Sequence, residues 1–199
     1  MEWAIPIQTF EPASIRLGSI GRGTKPIAPI SYHSAEVDAT FMSLSLLLPV
    51  VTIRSYDAAT SRLQISLEGG SATATATASK LQALQTILLK KILTQQSGWF
   101  PPDRTRTAEE LRAGFQPMIE NGSLTLYCPS ITAGAMNDMQ VYSGGAWTRG
   151  ISSPTMLTPG KQIRLAIKIQ GVSFHQHPVS GAWTGKFRLQ HRILAIMLE

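Results

Sequence analysis

The segment from Met139 to Leu198 contains seven lysine and arginine residues and no aspartate or glutamate. Ordinary solvated surfaces mix both signs of charge, because interspersed opposite charges keep a protein soluble without a one-sided field. A long stretch with one sign of charge therefore predicts a surface that binds an anion, and a polymer of phosphates is the best candidate. The seven cations are Arg149, Lys161, Arg164, Lys168, Lys186, Arg188 and Arg192.

Two strand-like runs carry most of these charges. In KQIRLAIKIQ, Ile163, Leu165, Ile167 and Ile169 alternate with polar residues, and KFRLQHR alternates in the same way. If the two strands are neighbours, their apolar faces join one core and their basic faces form one grid. Like charges close together across strands each cost a few tenths of a kcal/mol, which a bound phosphate chain would relieve. The alternative is an ordinary solvated face.

Aromatic and histidine residues are interspersed among the cations. Rings beside a cationic groove suit sequence-tolerant binding of single-stranded nucleic acid, in which stacking contributes about 1–3 kcal/mol per base. The alternative is that these rings close one end of the core, as we expect for Trp99 and Phe100. The predicted nucleic-acid-binding residues are Arg164, Lys168, Lys186, Arg188, Arg192, Phe174, Trp183, Trp147, His175 and His177.

Neither a metal site nor a catalytic site is predicted. His175 and His177 are two residues apart, so on a strand they would share a side, and His191 could add a third ligand. No acidic residue nearby in sequence could orient the rings, and no G-x-S-x-G elbow surrounds a serine. We therefore expect a non-catalytic protein without a cofactor.

Bulk composition agrees with a folded, basic protein. The chain has 199 residues, a net charge of +6, a pI near 9.8, 43% hydrophobic and 15% charged residues. A single cysteine, Cys128, excludes an internal disulfide framework and ends the strand-like run SLTLYC, which predicts a buried structural thiol. The start of the chain lacks the pattern of a secretory signal, and no apolar run is long enough to span a bilayer. These features predict a soluble, intracellular protein.

The chain divides into two predicted parts. Residues 1–40 are dense in proline and glycine, which predicts an extended N-terminal arm, and LGSIGRG within it is interpreted as a turn and not as a nucleotide loop. Residues 41–199 are predicted to form a single β-barrel nucleic-acid-binding domain. FMSLSLLLPVVTIRS and RLQISLE predict an antiparallel hairpin. SATATATAS predicts a mobile connector, with a strand of small residues as the alternative.

Helices are predicted only between the two groups of strands. KLQALQTILLKKILTQQ carries an apolar stripe at the helical period, and Thr107 with Glu110 forms a capping box that begins a short helix. The predicted fold class is therefore mainly β with inserted helices, as a barrel or sandwich.

Two stretches of the sequence follow the pattern of a known family. They are KLQALQTILLKKILTQQSGWF with EELRAGFQPMI, and LTPGKQIRLAIKIQGVSFHQHPVSGAWTGKFRLQHRILAIM. Both resemble the single-stranded DNA-binding proteins of large eukaryotic DNA viruses. The resemblance covers about 80 residues and rests on a helix ending in Trp-Phe and on the terminal strand pattern. It implies an OB-like Greek-key barrel and a role in viral DNA replication, recombination or repair, at the host nucleus or a viral replication site.

The expected partner is single-stranded DNA, with RNA left open because the 2′-hydroxyl contact depends on geometry. No membrane partner is expected, and the N-terminal arm could mediate homo-oligomerisation. The alternative function is a viral structural or assembly protein, with a β-sandwich core and an arm that wraps a neighbour.

Overall fold

A computed structural model describes residues 4–21, 26–68, 72–96, 99–100, 105–129, 138–177, 179–180 and 182–198. The fold is mainly β, as the sequence predicts, with 47% strand and 22% helix. Its strands form one open mixed sheet, so the predicted OB-like Greek-key barrel is not confirmed.

Fourteen strands are present in the described ranges. The first seven are β1 (Ile5–Pro6), β2 (Ile15–Leu17), β3 (Ile27–Ser34), β4 (Ala39–Phe41), β5 (Leu44–Leu47), β6 (Val51–Asp57) and β7 (Arg62–Ser66). The others are β8 (Phe115–Gln116), β9 (Ile119–Glu120), β10 (Ser123–Tyr127), β11 (Gln140–Ser143), β12 (Ala146–Arg149), β13 (Gln162–Gln176) and β14 (Trp183–Leu198). The main order across the sheet is β12-β11-β14-β13-β6-β7-β10-β9, and β6 with β7 forms the predicted hairpin.

The long strand β13 organises the sheet. One edge of β13 pairs with β14 along almost its whole length, antiparallel and with three register shifts. The other edge pairs in turn with β6, β5 and β3. At Gly171, β13 approaches β3 so closely that an added Cβ would meet the carbonyl oxygen of Ala28. The two basic strands are therefore neighbours, which is the condition for a single basic grid.

Helix α1 (Ala72–Thr94) is longer than predicted. Its buried stripe includes Leu81, Leu84 and Leu88, as the period indicates, but it begins inside the Ala-Thr repeat. The prediction of a mobile connector was therefore wrong. Alanine has the highest helix propensity, which favours extension of the helix into the repeat. The buried Thr77 hydroxyl is satisfied because it donates to the carbonyl of Thr73 one turn earlier.

Helix α2 (Ala108–Gly114) begins at the predicted capping box. The Glu110 N–H donates to the Thr107 hydroxyl at 3.2 Å, and the Thr107 N–H donates to the Glu110 carboxylate at 2.9 Å. Two backbone donors at the helix start are thereby satisfied. Short 3₁₀ helices lie at Pro12–Ser14 and Pro154–Leu157.

One core joins the sheet, the helices and the N-terminal residues. Ile7, Phe10 and Ile30, from the segment predicted as an arm, are almost fully buried, and β3 pairs with β13 of the same chain. Cys128 is completely buried, as predicted, and burial raises the pKa of its thiol to about 12. Among the described residues, no helix has the length and apolar character needed to cross a membrane.

Candidate nucleic-acid interface

The five predicted cations project from one face of the β13–β14 hairpin, which we call the outer face. Ile163, Leu165, Ile167 and Ile169 are buried on the opposite, core face of β13. Because side chains alternate along a strand, Arg164 and Lys168 point away from that core. Directly paired residues of antiparallel strands project from the same face. Arg192 is paired with Lys168 and Arg188 with Ser173, so both arginines lie on the outer face as well. Lys186 precedes the buried Phe187 and lies on the same side.

The centre of the outer face brings two cations directly opposite each other. Lys168 and Arg192 are cross-strand partners, with Arg192 exposed and Lys168 half-buried. Opposed like charges in an antiparallel pair are unfavourable by themselves. The basic side chains of the two strands therefore lie on one face, in the arrangement described as a basic grid.

The pKa of His175 records the positive field at one end of this face. Partial burial lowers the pKa first, and the charges of Arg188 and Lys186 lower it further, because both disfavour a protonated imidazole. His175 thus lies within electrostatic range of two of the predicted cations.

The other two histidines lie elsewhere. His177 is in the exposed turn after β13, where its Nδ1 accepts weak hydrogen bonds from the Val179 and Ser180 N–H groups at 3.4 Å. His191 lies opposite Ile169 on the core side. Within the ranges that the structure describes, no three His, Cys, Asp or Glu side chains are placed to hold a metal ion.

Phe174 and Trp183 lie on the core side, in a cluster of rings. Phe174 is 7% exposed and stacks on Phe187 with 6.0 Å between ring centroids. Trp183 is half-buried, 4.8 Å from the ring of Phe100, and its Nε1 donates to the Lys186 carbonyl. The faces of the Phe174 ring are therefore covered by protein.

The same cluster explains the position of Trp99 and Phe100. Phe100 is 6% exposed, and Trp99 packs against the core beside Phe174, so the predicted hydrophobic role is confirmed. The Arg106 guanidinium lies over the rings of Phe100 and Trp183, at 5.1 and 4.8 Å from their centroids. A cleft of about 280 Å³ opens beside Trp99, Phe174 and Trp183.

Trp147 lies on the edge strand β12 and is 54% exposed. Its cross-strand partner is Tyr142 on β11, with ring centroids 5.2 Å apart. β11 in turn pairs with the end of β14 in parallel, which places this hairpin beside the basic strands. Of the ten predicted residues, Trp147 is therefore the aromatic ring that is exposed.

Three residues of this surface are absent from the predicted binding residues: Tyr142, Arg149 and Met197. Of these, Arg149 was counted among the seven cations, whereas Tyr142 and Met197 were not predicted at all. The sequence does contain the signal for the first, since Gly144–Gly145 between two short apolar runs predicts a two-residue hairpin turn that sets Tyr142 opposite Trp147. Arg149 lies opposite Gln140, which pairs with Ala195 of β14. Only the parallel pairing of β11 with β14 places Tyr142 and Arg149 next to the basic strands.

The outer face therefore presents a row of cations and, at one corner, the exposed ring of Trp147 beside the half-buried ring of Tyr142. This arrangement is suited to a polyanion that carries planar groups. No family model matches the sequence, and no curated protein matches it.

Proposed function

We propose that this chain is a non-catalytic protein that binds single-stranded nucleic acid with little dependence on base sequence. Single-stranded DNA is the first ligand to test, because the sequence resembles DNA-binding proteins of that class. The observation that carries the proposal is the placement of the basic side chains on one face of the β13–β14 hairpin, set by strand register.

Six cations support this face as a phosphate-binding surface: Arg149, Arg164, Lys168, Lys186, Arg188 and Arg192. The strands β11 to β14 contain no aspartate or glutamate. Each phosphate contact to a single strand releases counterions and contributes a slope of about −0.7 to the plot of log K against log salt. If all six cations contact phosphates, the slope is about −4.

The shape of the surface favours a single strand over a duplex. Its basic residues lie on a broad sheet face and not on a protruding helix that could enter a groove. Helix α1 carries Lys80, Lys90 and Lys91, but Lys80 is engaged internally, where its Nζ donates to the carbonyl of Phe10 at 2.6 Å and contacts Glu11 at 3.1 Å. The exposed ring of Trp147 beside the cations offers stacking that every base can use.

The experiment is a fluorescence anisotropy titration with a labelled oligonucleotide at low and at high salt. We expect tight binding to single strands of different base composition, weaker binding to duplex, and a steep loss of affinity with salt. The variant Arg188→Glu with Arg192→Glu reverses two charges of the outer face, and it should weaken binding to all sequences alike.

The control is Lys90→Glu with Lys91→Glu on α1, which changes the net charge by the same amount away from the sheet face. Retained binding in this variant, with loss in the Arg188 and Arg192 variant, attributes affinity to the outer face. Equal losses in both variants would mean that only net charge matters. The absence of binding to any single strand at low salt would refute the proposal.

A further inference from the structure

A continuous row of side chains crosses four strands at one end of the outer face. Trp147 on β12 is opposite Tyr142 on β11, Tyr142 pairs with Met197 on β14, and Met197 is opposite Arg164 on β13. Directly paired residues in a sheet project from the same face. The row therefore places two rings, a thioether and a guanidinium side by side, and we call it the aromatic row.

The aromatic row is open to solvent. Trp147 is 54% exposed and Met197 is 36% exposed, and Arg164 is also exposed. Among the tryptophans that the structure describes, Trp99 and Trp183 are half-buried in the ring cluster, whereas Trp147 is exposed. Every residue of β12 is exposed, so the strand adds little to the core. The ring of Tyr142 packs against one side of the Trp147 ring, with an angle of 54° between the two ring planes.

A shallow floor connects the aromatic row to the remaining cations. The adjacent row across the same four strands consists of Arg149 on β12, Gln140 on β11, Ala195 on β14 and Ala166 on β13. The two alanines project only a methyl group, which leaves room for a ligand between the aromatic row and the Lys168–Arg192 pair. Beyond that pair the outer face continues to Arg188 and Lys186.

We propose that the aromatic row is a base-stacking subsite at one end of a track along β14 that binds a single strand. This inference rests on the proposed function and specifies where the bases and the backbone lie. The indole of Trp147 stacks on a base, with Tyr142 positioning the indole, while Met197 adapts to the neighbouring base edge. Arg149 and Arg164 flank the subsite and contact the adjoining phosphates.

The length of the track sets the size of the ligand. Met197 and Lys186 are eleven residues apart on β14, and at a rise of about 3.3 Å per residue the track spans about 36 Å. A nucleic-acid strand advances about 3.4 Å per nucleotide when fully stacked, so at most about ten nucleotides fit along the track. Six cations, with one phosphate each, require about six nucleotides.

The test compares Trp147→Ala, Trp147→Phe and the matched control Tyr127→Ala. Tyr127 is 56% exposed on β10, several strands away from the aromatic row. We expect Trp147→Ala to lower the affinity for a ten-nucleotide single strand about 5- to 150-fold, the loss of one stacked base. Trp147→Phe should retain most of the affinity, and Tyr127→Ala should bind like the wild type.

Two further measurements separate stacking from a loss of charge or of structure. Trp147→Ala should leave the salt slope unchanged and bind an abasic phosphodiester chain as well as the wild type does. Intrinsic tryptophan fluorescence should be quenched by the single strand in the wild type and much less in Trp147→Phe. The affinity for oligonucleotides should increase steeply with their length and should stop increasing at a length between about six and about ten nucleotides.

The outcomes distinguish this inference from the function on which it rests. Wild-type affinity in Trp147→Ala, with binding still sensitive to Arg188 and Arg192, would overturn the stacking subsite and leave the function intact. Equal losses on the base-containing and abasic chains would also overturn it. If the wild type binds no single strand, the proposed function fails first.

Discussion

Protonation of His191 is expected to destabilise the fold as the pH falls below neutrality. The imidazole lies opposite Ile169 on the core side of β14, with Nδ1 3.3 Å from the Leu189 carbonyl. Its Nε2 is buried and has no hydrogen-bond partner among the described residues. Burial, with a smaller contribution from the charge of Arg188, lowers the pKa of His191 from 6.5 to about 4.

The size of the effect follows from this shift in pKa. Between the two values the unfolded chain binds a proton that the folded protein does not, so the free energy of unfolding decreases as the pH is lowered from 6.5 toward 4. A difference of about 2.5 pKa units corresponds to about 3 kcal/mol. Above pH 6.5 the neutral form is present in both states, and this contribution to stability is complete.

Urea unfolding, followed by tryptophan fluorescence at several values between about pH 7 and about pH 4, measures the effect. His191→Leu removes the titrating group and places an aliphatic side chain against Ile169, so its stability should fall with pH by about 3 kcal/mol less than that of the wild type. His177→Gln, in the exposed turn, should behave like the wild type. If His191→Leu is as sensitive to pH as the wild type, the burial argument is wrong.

A polyanion on the outer face should raise the pKa of His175, which burial and then the charge of Arg188 lower in the unliganded protein. Affinity for single-stranded DNA should therefore increase as the pH falls from about 8 to about 5, and His175→Gln should remove this increase. A wild-type affinity that does not change with pH would contradict the expectation. Gly171→Ala should destabilise the fold by about 1–3 kcal/mol in urea, because its Cβ would meet the Ala28 carbonyl. At Gly144 an added Cβ meets nothing within 4 Å, so Gly144→Ala should lower the free energy of unfolding only by the strain of its positive φ, about 1 kcal/mol. Equal losses of stability in the two variants would exclude a steric cause at Gly171.

Local patterns predicted the elements that dominate this structure. Alternation along residues 162–170 and 186–192 assigned the buried and basic faces of both strands, because successive side chains on a strand point to opposite sides. Thr107 and Glu110 located the start of α2, since the capping contacts join residues three apart in sequence. Each of these features depends only on residues that are close together in sequence.

The Ala-Thr repeat shows where local patterns were ambiguous. Small alternating residues fit a strand or a connector as well as a helix, and no large apolar residue in the repeat marks a period. Ala74 and Thr77 are buried, so the repeat packs as the first turns of α1. Alanine propensity and continuity with the apolar stripe decide in favour of the helix.

The sequence by itself determined that the C-terminal strands carry one sign of charge on one face, because that depends only on residue type and on alternation. Tertiary structure decided which rings accompany those charges. Phe174 and Trp183 turn into the ring cluster around a register shift between β13 and β14, whereas Trp147 reaches the basic face through the parallel pairing of β11 with β14. The β11–β14 pairing joins residues such as Tyr142 and Met197 that are far apart in sequence, and it is set by which faces pack together and not by local propensity.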